Sequence, residues 1–284
     1  MATDKSVRIY NDCLLRIQRA IKDQTDDWYL NSDKIVEWIE GQNYSLNTKK
    51  LYYIALVATL TRMNEERYTK CLEVFRAKMN SYNEEQQKEY EKQEMNEKEK
   101  AKYCSWKEIL EVRKKVWDLV EDYHTYQDYL ILCLYTMIPP LRVDYGNMRV
   151  FTEKPTDYTG NYLLYGTKSK FVLQEYKTEG TYGVLEIPVS NSLQRVLKEW
   201  RDLFSWDSEY LLYTRWGKPM DDSCLGNWVR ALFKKHTNKP TGVSMIRHAF
   251  VNEQRKGEKK MKNQEEIAKR MAHSLGMNVL YRRV

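Results

Sequence analysis

Five residues in the second half of the chain could together handle a phosphate. Arg142 lies in Pro139-Pro140-Leu141-Arg142-Val143-Asp144-Tyr145, and Lys177 lies in Glu175-Tyr176-Lys177-Thr178. Arg247 lies in Val243-Ser244-Met245-Ile246-Arg247-His248, and His273 in Met271-Ala272-His273-Ser274. Tyr281 follows eight residues later and is the only tyrosine after position 213. Guanidinium groups stay charged at physiological pH and present paired donors, so two of them can clasp one anion. A phenol titrates near about pH 10, so as a nucleophile it needs cationic surroundings or a proton acceptor. Each residue alone has a plainer reading. Arg142 could cap carbonyls or pair with Asp144, His273 could cap a helix, and Tyr281 is one of 22 tyrosines. Arg247 is harder to set aside. It sits among Val243, Ile246, Phe250 and Val251, and an arginine beside a core face usually has a fixed anionic partner.

The charge distribution points the same way. From Arg230 onward there are 14 Lys or Arg against 4 Glu, a net of +10 in a chain whose total is +7. A basic C-terminal third suits a polyanionic partner, of which nucleic acid is the commonest. No Gly-rich phosphate loop, HExxH, GxSxG or carboxylate cluster with metal spacing occurs, so neither a metal nor another cofactor is expected. The 5 cysteines form no CxxC pair, which fits a reducing compartment and neither a disulfide framework nor a zinc site. There is no apolar signal core and no stretch long enough to span a bilayer. The expectation is an intracellular protein, nuclear or cytoplasmic in its host, with no membrane partner.

The elements that must carry these residues are mostly helical. Val7, Tyr10, Leu14, Ile17 and Ile21 share one helical face. Further helices are predicted around Lys34–Ile39, from Ser45 or Asn47 through Ala58, and from Glu65 to Met79, making a bundle over 1–82. Residues 83–103 are almost all charged or amide and read as a linker or solvated helix. Ser105 with Glu108 three residues on is a capping-box start, opening a second domain over 104–284. Helices Trp106–Tyr123 and Tyr126–Met137 end at Pro139 and Pro140. Strands at Asn161–Tyr165, Phe171–Tyr176 and Val184–Val189 follow, with Gly180 and Gly183 marking a turn. Helices return at 191–204, 221–235, 243–256 and 264–272. The expected class is mainly α (α+β) with one small antiparallel sheet.

In order and local context these pieces resemble the tyrosine recombinase (phage integrase) family. The match covers roughly residues 105–284. It consists of a first Arg at a helix start, a Lys on a β-hairpin, a His-x-x-Arg motif, a second His and a late Tyr. Ser45-Leu46-Asn47-Thr48…Tyr52 resembles the opening of the family's helical core-binding domain. The wording Pro-Pro-Leu-Arg-x-Asp-Tyr-x-Asn and Tyr-Lys-Thr…Tyr-Gly looks most like members from large DNA viruses and eukaryotic mobile elements. The resemblance implies a metal-free and ATP-free recombinase or integrase that acts on double-stranded DNA as a homo-oligomer, a tetrameric synapse. Arg142 and Arg247 would hold the scissile phosphate, Lys177 would protonate the leaving 5′-oxygen, His273 would assist, and Tyr281 would form the covalent 3′-phosphotyrosine.

Lys168 and Lys170 lie near Lys177 and compete for its role. Lys177 is preferred for its Tyr-Lys-Thr context at the turn, which leaves Lys168 and Lys170 as DNA-binding candidates. Lys49 and Lys50 could track backbone phosphate or line a solvated face. Two departures stand out. Ser244 occupies the His place of His-x-x-Arg, and a hydroxyl is a poor proton acceptor near neutral pH. The His273–Tyr281 spacing is eight, against the family's usual nine. These leave open a DNA-binding protein of the same fold with weakened catalysis, and a type IB topoisomerase-like or telomere-resolving activity.

Overall fold

The computed structural model describes residues 4–92, 94–203, 208–256, 268 and 271. The chain divides into two compact units, Met1–Lys92 and Gln93–Val284.

The first unit holds α1 (Asp4–Ile21), α2 (Ser32–Gly41), α3 (Leu46–Met63) and α4 (Thr69–Glu91), with 3-10 turns at Trp28–Leu30 and Glu66–Tyr68. Ser45 caps α3, its hydroxyl accepting from Thr48 N, as the serine's position predicts. Ile17 of α1, Ile35 and Ile39 of α2, Tyr52, Tyr53 and Leu56 of α3 and Phe75 of α4 form the buried interior. Glu40 ties the bundle together on its polar side. It accepts from Tyr53 Oη at 2.9 Å and Tyr82 Oη at 2.5 Å, with Lys49 and Lys78 each at 3.5 Å. Burial pushes the Glu40 carboxyl up, but these donors outweigh burial and hold it below the usual carboxylate range. The charged stretch from 83 is helical as far as Glu91, so its beginning continues α4 rather than leaving the bundle as a separate segment.

In the second unit, α5 (Glu97–Lys100) precedes α6 (Trp106–Trp117) and α7 (Tyr123–Thr136). Both halves of the Ser105/Glu108 capping box are present at the start of α6. Leu130 to Tyr135 of α7 are all 0% exposed. A helix apolar all round is one that the rest of the unit packs against. The strands are β1 (Arg149–Phe151), β2 (Tyr162–Leu164), β3 (Lys170–Leu173) and β4 (Leu185–Pro188), with the helical turn α8 (Glu179–Tyr182) between β3 and β4. Three long helices follow: α9 (Asn191–Leu203), α10 (Asp222–Thr237) and α11 (Val243–Lys256). The helix predicted at 264–272 lies mostly outside the described residues.

The sheet runs β1-β2-β3-β4, and it is mixed rather than antiparallel. β1 pairs parallel with β2, with Arg149 opposite Tyr162, while β2–β3 and β3–β4 are antiparallel. The loop 152–161 carries the chain back to start β2 in the same direction as β1. The outer side of β1 is covered too. Val150 N donates to Glu209 O and Leu211 N to Met148 O, each at 2.8 Å. All five cysteines are free thiols. Among the described residues no helix is long and apolar enough to cross a membrane.

Candidate active site

The loop after α7 carries Arg142, and buried hydrogen bonds fix its shape. Tyr135 Oη donates to Arg142 O at 2.9 Å. Tyr145 Oη donates to Leu134 O at 3.1 Å. Both tyrosines are 0% exposed, and burial drives both phenols far above their ordinary range, so they serve as fixed donors. Arg142 N donates to Asp144 Oδ2 at 3.0 Å. The loop closes with Gly146 N donating to Val143 O at 2.8 Å, and Asn147, at φ 50°, donates its N to Met220 O at 2.7 Å. Gly146 packs on the start of α10, where an added Cβ would lie 2.8 Å from Asp222 Cα. No larger residue fits there without moving the loop.

Arg247 reaches this loop from α11. Thr241 sets the start of that helix. It is 0% exposed, and its Oγ1 lies 2.7 Å from Lys102 O and 3.1 Å from Cys104 Sγ. Arg247 is 1% exposed. Its Nη1 donates to Pro140 O at 2.9 Å and to Met271 O at 3.1 Å. Burial holds the half-buried Asp144 carboxyl above its ordinary range, although the cations of Arg142 and Arg247 both pull it down. Two arginines 105 positions apart in sequence thus act on one carboxyl.

The segment bearing Lys177 is joined to the same loop by Asn161. Asn161 Nδ2 donates to Glu175 O at 2.8 Å and to Asp144 O at 3.4 Å. Its Oδ1 accepts from Gln174 N and Glu175 N, each at 2.9 Å. Tyr176 is buried, with Oη donating to Gly183 O at 2.7 Å, which leaves the neighbouring Lys177 exposed. The β3–β4 connection is longer than a tight hairpin. The stretch containing Gly180 folds into α8, and Gly183 supplies the left-handed turn at φ 62°.

The other sequence candidates lie elsewhere or have other partners. Lys168 is exposed in the β2–β3 turn, which Ser169 closes by bonding Gly166. Lys170 pairs across the sheet with Glu186 at 2.7 Å. Lys49 donates to Glu40 O at 2.9 Å and Lys50 to Gln86 Oε1 at 2.7 Å, so both ammonium groups have partners inside the first unit. Ser244 is exposed in the first turn of α11, three residues before Arg247. His248 is buried. His273 and Tyr281 lie outside the described residues. Sequence reasoning missed Asn161 and the sharing of Asp144. The spacing Arg142-x-Asp144 was visible, but nothing local marks Asn161.

Solved structures of similar architecture identify the fold. One is the XerH site-specific recombinase bound to difH substrate in a pre-cleavage complex. It aligns with 89% of this chain and 67% of its own at TM-score 0.51 and 12% identity. A post-cleavage XerH complex with palindromic difH aligns with 88% and 67% at TM-score 0.50 and 15% identity.

The chain has the tyrosine recombinase fold.

XerA recombinase aligns with 100% of this chain and 88% of its own at TM-score 0.46 and 13% identity. No protein-family model and no curated protein matches the sequence. Within the tyrosine recombinase fold, Arg247 is bonded to Pro140 O of the loop that carries Arg142, and Asn161 ties the Lys177 segment to the same loop.

Proposed function

We propose that the protein is a DNA recombinase that cleaves and rejoins strands through a phosphotyrosine at Tyr281, needing neither metal nor ATP. The observation that carries the reading is the hydrogen bond from Arg247 to Pro140 O at 2.9 Å, which brings Arg247 to the loop that carries Arg142, in a fold whose XerH relatives were solved on their difH DNA. In the reaction, Tyr281 Oη attacks phosphorus as its proton passes to solvent, and the bond from phosphorus to the 5′-oxygen breaks. Lys177 gives that oxygen a proton, leaving a free 5′-hydroxyl and a 3′-phosphotyrosine. Reversal by another 5′-hydroxyl rejoins the strand. The two guanidiniums offset charge gathering on the non-bridging oxygens.

Arg247 sits enclosed, with its Nη1 donors spent on two carbonyls. Phosphate capture would have to be served by the guanidinium's other N–H groups or by release of one of these carbonyls. Action on DNA as a homo-oligomer, with strands exchanged between protomers, completes the proposal.

The test is incubation with cognate duplex followed by denaturing electrophoresis. Wild type should give a covalent protein–DNA adduct and Tyr281→Phe none. An adduct retained by Tyr281→Phe ends the proposal.

Ser244 in the usual His position and the enclosure of Arg247 favour a second reading, a DNA-binding protein of this fold that does not cut. Salt-sensitive duplex binding with no adduct and no nicking would select it.

A further inference from the structure

Residues 210–220 of the second unit form a small hairpin with a firm base. Met220 N donates to Leu212 O at 3.0 Å and Thr214 N to Lys218 O at 2.7 Å, and Tyr213 pairs antiparallel with Pro219. Leu211, Leu212 and Met220 anchor it in the core. Gln127 of α7, itself 2% exposed, clamps it from below. Its Nε2 donates to Tyr213 O and its Oε1 accepts from Tyr213 N, each at 2.8 Å. The tip is Arg215-Trp216-Gly217, turned by Gly217 at φ 69° with its N donating to Thr214 O at 3.0 Å.

On this well-held turn Trp216 is 88% exposed. An indole left in water at a flexible end would mean little, but here the backbone is fixed and the ring has no packing role in the fold. Exposed cations flank it, Arg215 before and Lys218 after. Arg215 lies over the Trp228 ring, 5.7 Å from its centroid, and with Lys235 it lines a cavity of about 350 Å³. The turn therefore continues into the basic half of α10, where Arg230, Lys234 and Lys235 follow. Two acids lie near: Asp128 lines the same cavity and accepts from Trp228 Nε1 at 2.6 Å, and Asp221 caps α10 by accepting from Cys224 N at 2.7 Å. The base of the hairpin is bonded to the loop that begins at Arg142, through Asn147 N and Met220 O.

We propose that the 215–218 turn is a DNA-contacting wedge, with Trp216 packed against sugars and base edges of duplex DNA and its flanking cations on the adjacent phosphates. An aromatic between two cations suits a strand that offers flat bases between anions, and suits an apolar protein surface poorly. The inference rests on the DNA-binding reading above and names the element that extends contact beyond the scissile phosphate.

A labelled, mixed-sequence duplex of about 40 base pairs, titrated with the full chain at several salt concentrations, tests it. Trp216→Ala should bind about 5- to 20-fold more weakly with an unchanged salt slope. Lys218→Gln should lower that slope by about 0.9. Both should melt like the wild type, because the side chains are exposed. Wild-type affinity for Trp216→Ala overturns the wedge alone. So does a Trp216→Ala defect that tracks with lost self-association in sedimentation, since it would make the indole a protein contact. Failure of the wild-type chain to bind the duplex overturns the DNA reading, and the wedge with it.

Discussion

Arg247 donates to the carbonyl of Pro140 at 2.9 Å, two residues before Arg142. That bond ties α11 to the loop that carries Arg142, and two cations proposed to hold one phosphate should not respond independently to substitution. We expect Arg142→Gln and Arg247→Gln each to cut adduct formation by about 10²–10³, and the double variant to lose less than the product of the two. Single-turnover rates of adduct formation measure this. Multiplicative losses would mean that the two groups do not serve one phosphate.

Lys177 stands at the surface beside buried Tyr176, the right place for a proton donor that meets DNA. Lys177→Ala should slow cleavage of an ordinary strand by about 10²–10⁴. It should act almost normally on a strand whose bridging 5′-oxygen is sulfur, a leaving group that needs no proton. If Lys168→Ala shows this rescue and Lys177→Ala does not, the β2–β3 turn holds the acid.

Asn161 joins the Asp144 and Lys177 segments through four hydrogen bonds. Asn161→Ala should destabilise the fold by about 1–3 kcal/mol. It should also lower the cleavage rate at saturating DNA while leaving duplex affinity unchanged. A variant that loses stability but cleaves at the wild-type rate would show that Asn161 serves folding only.

Gly146→Ala drives a methyl group into Asp222 backbone. The loop must move, at a cost of about 1–3 kcal/mol in chemical denaturation, and cleavage should fall as Arg142 moves with it. Gly180→Ala, where a Cβ meets nothing within 4 Å, should stay within about 0.5 kcal/mol of wild type.

Glu108 gives a pH signature. A hydrogen bond from Lys239 at 2.8 Å is the main cause that holds its carboxyl down at about 2, against the cost of burial. A carboxyl depressed in the folded state adds stability above its unfolded pKa, and that stability is lost as pH falls towards the folded value. Glu108→Gln can keep the capping box, so it isolates the ion pair. At 38% and 41% exposure, solvent screening holds the expected loss at pH 7 to about 1 kcal/mol. The gap between variant and wild type should close between pH 4.5 and 2. A gap independent of pH would assign the effect to the cap.

Local chemistry made much of this architecture legible. Ser45 and the Ser105/Glu108 pair announce helix starts because caps act within one turn. The apolar run at Leu130–Tyr135 marks the innermost helix. β1 could not be read. Arg149, Val150 and Phe151 are all half-buried, so no alternation appears, and the pairing comes from partners far along the chain. The parallel register followed from that hidden strand, hence the expectation of an antiparallel sheet. Lys49 and Lys50 look alike in sequence to any basic pair on a helix, and their partners Glu40 and Gln86 are set by tertiary packing. At the site, residue types named Arg142 and Arg247. The bond from Arg247 to Pro140 O and Asn161 as a brace emerge only once the chain has folded.

The covered flank of β1 has a consequence for crowding. With Val150 and Leu211 already bonded on that side, β4 is the sheet's remaining margin. It is four residues long and ends in Pro188, which has no N–H to offer. Among the described residues, this leaves a second copy of the chain little unpaired strand to zip onto.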